Sequence, residues 1–391
     1  MVALHLWFRK RRLSWPTETQ FKAHFKGRFV LHSQTIQGVI ERFFDNIDTT
    51  RTNRANGDKR ARYPYKIKSY VVAVWKPLGI TRNKQCLTLS MGAKRKPLTL
   101  HLPKKFPKGK VAQVHLGFNE FYVTLATEIK VPKRRPKGVA AGDLGVIHLM
   151  MMTDGKETES VVGRGLRSVI QGHNKAKAEI SSLLSKCTKG SNRYRRLRYA
   201  MFREANYREN FQRNALHHAA NRVVDFCKRN KVGTFYVGDI TEMVRGKRGR
   251  RSRRNNQDVA NMPWGDYIGY LKYKLAKRNV SVKKQSEAYT SQTCPQCAAR
   301  IKVSGRVYKC RVCKFTAPRD QVGSWNFLNK CVNGYIKSGA MVPDGKVKYL
   351  RPVLMRSVVV PMTSGKLIPM TLFAGDTDLV GEVQNTVRPA A

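Results

Sequence analysis

Glu287-Ala288-Tyr289-Thr290-Ser291-Gln292-Thr293-Cys294-Pro295-Gln296-Cys297, then a loop, Cys310-Arg311-Val312-Cys313, and the exit Phe315-Thr316-Ala317-Pro318-Arg319-Asp320 form the stretch from which the rest of the chain can be read. Each Cys-x-x-Cys pair supplies two thiolates from one tight turn, and two such turns complete a tetrahedral zinc site. Cys294, Cys297, Cys310 and Cys313 are therefore expected to hold one structural Zn2+. A carboxylate stands just before this loop and another just after it. A closed zinc knuckle pins both ends of an insertion at one place, so Glu287 and Asp320 can reach a common centre. The plainer alternative is a structural ribbon with two bystander acids.

Working outward, the totals favour a polyanionic partner. The chain has 391 residues, with 76 Lys and Arg against 25 Asp and Glu, a formal net charge of +51. That excess is far beyond what solubility needs and points to nucleic acid or an anionic membrane. No apolar run is long enough to span a bilayer, and the N-terminus carries no apolar signal core, so a membrane is not expected. The other four cysteines, Cys86, Cys187, Cys227 and Cys331, are scattered singly, as small buried hydrophobes in a reducing compartment are.

Taken in order, residues 1–30 are basic and aromatic without a clear period. Ser33 is placed to cap a helix with Ile36, Val39, Ile40, Phe43, Phe44 and Ile47 on one face. Arg51 to Arg62 reads as a linker. From Tyr63 come short β-branched and aromatic runs, Tyr70–Trp75, Cys86–Leu89, Leu98–Leu102, Val111–Leu116 and Phe121–Leu125, which suggest a small antiparallel barrel. Its lysines either form a phosphate-binding face or only blunt sheet edges.

Val139-Ala140-Ala141-Gly142-Asp143-Leu144-Gly145 is an apolar strand carrying one carboxylate, which is costly to bury unless paired or bound to metal. The alternative is an Asp that caps a turn. A second strand runs through Met152 to a turn at Asp154-Gly155. Residues 165 to 230 are helical in composition, with an apolar stripe of Leu216, Ala219, Ala220, Val223, Val224 and Cys227. Thr234 to Ile240 is a short strand containing Asp239. Arg245, Lys247, Arg248, Arg250, Arg251, Arg253 and Arg254 form a basic run with almost nothing apolar, expected to be a mobile loop that orders on a phosphate backbone. A helix over Trp264 to Lys277 and a strand over Val280 to Lys283 lead to Glu287. A last helical turn or two is expected at Trp325–Asn329. Residues 333–391 read as a tail, weakly β in Val353–Val360.

This order of strands, helices and acids is the succession of an RNase H-like α/β fold, whose carboxylates meet at strand ends. Three such groups repel one another unless divalent cations neutralise them. Two Mg2+ about 4 Å apart would activate water and stabilise the leaving oxygen of a phosphodiester.

Gly142-Asp143-Leu144-Gly145, Tyr289 to Cys297, and Cys313-Lys314-Phe315 running to Arg319-Asp320 resemble the RuvC and zinc-finger signatures of TnpB. That is the transposon-encoded RNA-guided nuclease family related to type V CRISPR effectors. Ala61 to Lys66 and the β region after it resemble its nucleic-acid-binding wedge. The resemblance covers residues 20–330. It implies an α/β chain with these parts: a helical recognition module over 1–60, a small antiparallel β-barrel wedge domain over 61–135, and an RNase H-like (RuvC) nuclease domain over 136–290. A zinc-ribbon insertion over 291–316, the end of the nuclease domain over 317–332 and a tail over 333–391 complete it. It also implies a guide RNA from the transposon end, a double-stranded DNA target with an adjacent motif, two Mg2+ beside the Zn2+, a monomer or dimer, and a cytoplasmic, nucleoid-associated location.

Two departures stand out. Gly238 occupies the position where the family usually carries a Glu before Asp239, and Glu287 sits where most members carry Pro. The latter resembles the relocated glutamate of Fanzor-like and some TnpB proteins, so Asp143, Glu287 and Asp320 are the expected catalytic and Mg2+-holding residues, with Asp239 the substitute. Pro318 replaces the first Asp of the family's Asp-Arg-Asp, and Asp320 keeps the second. The alternative is an RNA-guided DNA-binding protein that has lost cleavage through the change at Gly238. A zinc-stabilised nucleic-acid-binding protein without a guide is the third reading.

Overall fold

A computed structural model describes the chain except for residues 67–71, 94, 104–105, 107–108, 117–120, 127, 129, 134–135, 240–251, 304, 340–346 and 352–391. It divides into two compact units, with the boundary after Glu128. Among the described residues no helix is long and apolar enough to cross a membrane.

The first unit opens with α1 (Val2–Lys10), α2 (Glu18–Phe25) and α3 (Ser33–Ala55). Residues 1–30 thus hold two helices that their irregular apolar spacing did not announce. Phe21, Ile40, Phe43 and Ile47 form the core of this helical part. The capping residue of α3 is His32, without a side-chain cap bond, and Ser33 is the first helical residue, one position inside where the sequence puts the cap. The apolar stripe still fixes the buried face, because burial of Ile40 and Ile47 outweighs one cap bond. The strands are β1 (Ala73–Trp75), β2 (Ile80–Arg82), β3 (Cys86–Leu89), β4 (Leu98–His101), β5 (Lys110–Leu116) and β6 (Phe121–Ala126). They form two antiparallel three-stranded sheets, β1-β5-β6 and β2-β3-β4. Trp75, Leu87, Leu89, Leu100 and Val114 form their shared core.

The second unit carries β7 (Gly138–Leu144), β8 (His148–Thr153), β9 (Thr158–Val162), α4 (Arg164–Ser185), α5 (Asn192–Arg229), β10 (Val232–Gly238), α6 (Arg253–Asn261), α7 (Trp264–Ala276), β11 (Ser281–Gln285), β12 (Val307–Lys309), β13 (Thr316–Pro318), α8 (Arg319–Asn333) and β14 (Val347–Leu350). One six-stranded sheet has the order β11-β10-β7-β8-β9-β14. β7, β10 and β11 run parallel, while β8 is antiparallel to both its neighbours. β14 is parallel to β9, so residues read as tail add an edge strand. Four residues are too short a run for a period to show.

Strand alternation assigns the two faces. Ala140, Met150, Met152, Phe235 and Val237 pack against α5 and α7 through Leu216, Ala219, Val223, Ile268 and Leu271. The opposite face, with Val139, Ala141 and Tyr236, is covered by Phe327 and Leu328 of α8. Asp143 lies two residues beyond Ala141, so it projects toward α8.

Candidate active site and zinc knuckle

The zinc motif folds locally. Cys294 N–H donates to Ala299 O and Cys310 N–H to Phe315 O, each closing a short loop around its Cys pair. The residue after the second cysteine of each pair is left-handed, Ala298 at φ 58° and Lys314 at φ 61°. The four sulfurs all lie within 4.8 Å of one another. Cys294 Sγ is 3.5 Å from Cys313 Sγ, and Cys297 Sγ is 3.6 Å from Cys310 Sγ. A tetrahedron with Zn–S bonds of about 2.3 Å has edges of about 3.8 Å, so the donor set fits Zn2+. Val322 of α8 packs with Cys294, Tyr308 and Cys310, which fastens the knuckle to the start of that helix.

The carboxylates come from elements far apart in sequence. Gly238 faces Gln285 across β10 and β11, and Tyr236 faces Ala141 across β10 and β7. By alternation Asp143, Gly238 and Gln285 share the α8 face, and Glu287 follows two residues after Gln285. All stand at the C-terminal ends of the parallel strands, where open α/β sheets bind their ligands. Asp239 follows Gly238 just past the end of β10, and its charge reaches Glu287, whose pKa it helps raise. Its backbone N–H donates to Gln285 O.

Glu287 fills the space above Gly238. A Cβ built at Gly238 would come within 2.6 Å of Glu287 Cγ and closer still to its Cδ and Oε1. Any side chain there would displace the carboxyl group. Glu287 Oε1 accepts from Leu144 N–H at 3.3 Å, and the Glu287 carboxyl hydrogen-bonds the Asp143 side chain. Burial pushes Glu287 up to about 9, helped by the Asp143 charge and this hydrogen bond. Burial also raises Asp143, to about 6, against the favourable Glu287 bond. Two adjacent buried carboxyls cannot both ionise, so the pair shares a proton across this hydrogen bond. Two acids held this way, with oxygen donors only, fit a hard divalent cation, which would replace the shared proton.

Asp320 stands in the first turn of α8, its side chain 46% exposed. Its charge reaches Asp143, whose pKa it raises. Among the described residues the tight group of three or more metal-type donors is the cysteine set. The three acids share one end of one face without forming so close a cluster. Gly323, one turn into α8, lies against Asp143: a Cβ there would be 3.0 Å from Asp143 Oδ2.

The connection from Glu287 to the knuckle is held by Asn326. Its Nδ2 donates to Thr290 O and Thr293 O, both at 2.7 Å, and Asn326 is 1% exposed. Thr290 Oγ1 donates to Glu287 O at 2.9 Å. Sequence reading gave Asn326 no role, because a buried Asn in a helix carries no pattern of its own. His148 and Ser160 were missed likewise. His148 Nε2 is 3.6 Å from Asp320 Oδ2, and its Nδ1 is 2.9 Å from Ser160 Oγ.

Of the basic run, Arg245, Lys247, Arg248, Arg250 and Arg251 lie outside the described residues. Arg253 opens α6 instead of belonging to a loop, and Arg254 follows it in the helix. Ser252 caps this helix by accepting from Asn255 N–H, a signal the surrounding charge hides. Asp258 of α6 accepts a forked pair of bonds from Arg167 of α4, at 2.9 and 2.7 Å.

Comparison with known proteins places the chain. Residues 121–244 match the family described as "Probable transposase" (OrfB_IS605), and residues 264–327 match the Cas12f1-like TNB domain family. A protein of Methanocaldococcus jannaschii whose name designates it a transposase is 31% identical over 94 residues. The match takes in 21% of this chain and 86% of that protein. The chain belongs to the TnpB family of transposases. Among solved structures, a Cas12f1–sgRNA–target DNA complex aligns at 15% identity and TM-score 0.39, over 82% of this chain and 87% of that one. A CRISPR-Cas12f ternary complex aligns at 14% identity and TM-score 0.40, over 78% and 70%.

Proposed function

We propose that this TnpB-family chain is a guide-RNA-directed DNA endonuclease that hydrolyses phosphodiester bonds at one RuvC-like centre. In this reading Asp143, Glu287 and Asp320 hold two Mg2+, and Cys294, Cys297, Cys310 and Cys313 hold a structural Zn2+. Bound Mg2+ would make a hydroxide available near neutral pH and neutralise the leaving oxygen. The observation that carries the reading is the passage of Glu287 across Gly238 to Asp143. A chain that had merely lost its β10 glutamate would have no reason to keep a buried acid in that space, at the desolvation cost a carboxyl group incurs.

The residues divide the work. Asp143, on the central strand, is the fixed oxygen donor. Glu287 supplies the second carboxylate from the neighbouring strand, and Leu144 N–H orients it. Asp320 enters from the helix that the zinc knuckle anchors, so the knuckle positions an acid without touching substrate. The strand order, with an antiparallel second strand, supports an RNase H-like nuclease domain. The net charge of +51 supports guide RNA and target DNA as partners. Residues 1–60 and 61–135 then serve as recognition module and wedge, and the run from Arg245 to Arg254 holds phosphate backbone.

The test uses the protein purified with its own bound RNA, a double-stranded DNA matching that RNA, and Mg2+. Glu287→Ala lowers the cleavage rate by about 10²–10³-fold, the scale for removing one group that stabilises developing charge. Asp239→Ala, which removes a neighbouring charge but no ligand of the proposed centre, lowers it far less. Guide-dependent binding without any cutting by the parent protein would favour the non-cleaving reading.

A further inference from the structure

We propose that His148 and Ser160 act as a positioning relay for Asp320, fixing the orientation of its carboxylate; this rests on Asp320 belonging to the Mg2+ centre proposed above. The strand register is the starting point. Met151 lies opposite both Asp143 on β7 and Ser160 on β9, so Asp143 and Ser160 share the face that α8 covers. His148 is three residues before Met151. In an unbroken strand an odd spacing would send it to the opposite face.

The strand is broken there. Across β8 and β9, His148 faces Val162 while Met150 faces Val161, so Leu149 is the extra residue of a bulge. Bulges beside active sites re-aim side chains. Here Leu149, 2% exposed, goes into the core, and His148 returns to the Asp143 face. Its ring then lies between Ser160 and Asp320.

The Ser160 hydroxyl, on a fully buried residue, lies 2.9 Å from Nδ1, and in the proposed relay it donates to that nitrogen. That leaves the ring proton on Nε2, which faces Asp320 Oδ2 at 3.6 Å, just beyond hydrogen-bond length. Such contacts commonly tighten when substrate and metal complete a site. The Tyr349 ring of β14, 5.5 Å away and tilted by 44°, lies beside the imidazole. Asp320 is otherwise half-exposed on a helix end, with freedom to turn outward. A donor that occupies one of its oxygens leaves the other aimed at the cation, the role that outer-shell partners play for metal-binding carboxylates.

Two measurements on the full chain with its bound RNA test this. The first is Mn2+ affinity without target DNA, alongside the Mg2+ concentration that half-saturates cleavage. His148→Ala weakens both by about 10–100-fold, the usual scale for an outer-shell partner. Ser160→Ala shifts both the same way by less, and His148→Gln, which keeps an N–H donor, recovers most of the loss. Unchanged Mn2+ affinity in His148→Ala and Ser160→Ala, with Asp320→Asn still weakening it, overturns the relay and leaves the nuclease reading intact. No Mn2+ bound by the parent chain removes both. The second measurement needs no variant: the 15N spectrum of His148 in the parent protein should show the proton on Nε2. A proton on Nδ1 overturns the proposal even if the substituted chains fail to fold.

Discussion

The zinc knuckle and the carboxylate centre both meet the start of the same helix, yet they are encoded in opposite ways. The knuckle draws its four donors from twenty consecutive residues, Cys294 to Cys313, and its backbone bonds close within each pair. Its sulfurs stand at near-tetrahedral spacing with nothing else required. The carboxylate centre draws Asp143, Glu287 and Asp320 from β7, the end of β11 and the start of α8, and it is assembled only when the sheet has formed. Its inner pair is held by a shared proton, at the cost of two raised pKa values. A local site is a matter of spacing, whereas a distributed one is a matter of topology, and the second can move a donor from strand to strand without moving the centre.

That difference orders the predictions. The largest effect belongs to the knuckle: Cys310→Ser should remove the bound zinc and loosen residues 287–320, a loss on the order of several kcal/mol of metal-linked stability. Metal analysis with hydrogen exchange checks it, and unchanged zinc content would show the ligand set to be wrong. Next comes Gly238→Ala. The added methyl meets Glu287 first, so it costs about 1–3 kcal/mol as an overpacked site and reduces cleavage by turning Glu287 away. Thermal unfolding and cleavage rate measured together would show both losses; a variant as active as the parent would mean that Glu287 does not need that space.

The smallest effect is a pH slope. Glu287 is raised from 4.5 to about 9 and Asp143 from 3.8 to about 6 in the metal-free fold. Each binds its proton more tightly folded than unfolded, so each stabilises fully below its unfolded pKa and loses that contribution as pH rises through the folded value. The metal-free melting temperature should therefore fall across the window from 3.8 to about 9. Glu287→Gln, compared at each pH, removes most of the slope, and saturating Mg2+ flattens it. A parent slope identical to that of Glu287→Gln would contradict the assignment.

Much of this was legible from residues alone. The spacing of the cysteines fixed the knuckle, and the apolar stripes of α3 and α5 fixed their buried faces, with Ile40 and Val223 in core. A relocated glutamate requires the strands leading to Gly238 and Glu287 to lie side by side, and the pairing of Gly238 with Gln285 supplies that. What escaped notice has physical reasons. α1 and α2 lack a period because their helices are short and bury a single face residue each, His5 and Phe21. β14 depends on the waiting edge of β9 more than on its own four residues. His148 reaches the site through a bulge, and a one-residue slip changes face without leaving a mark in composition. Asn326 works through its amide on two carbonyls, which no spacing rule encodes.

One comparison of four proteins tests the relocation of the glutamate most directly: the parent, Glu287→Ala, Gly238→Glu, and the double variant Gly238→Glu/Glu287→Ala, each assayed for guide-directed DNA cleavage. If the space above Gly238 belongs to a single carboxylate that either strand can supply, both single variants lose cutting and the double variant regains a measurable part of it. A double variant no better than Glu287→Ala, with folding and guide binding intact, or a Glu287→Ala protein that cuts as fast as the parent, would contradict the account.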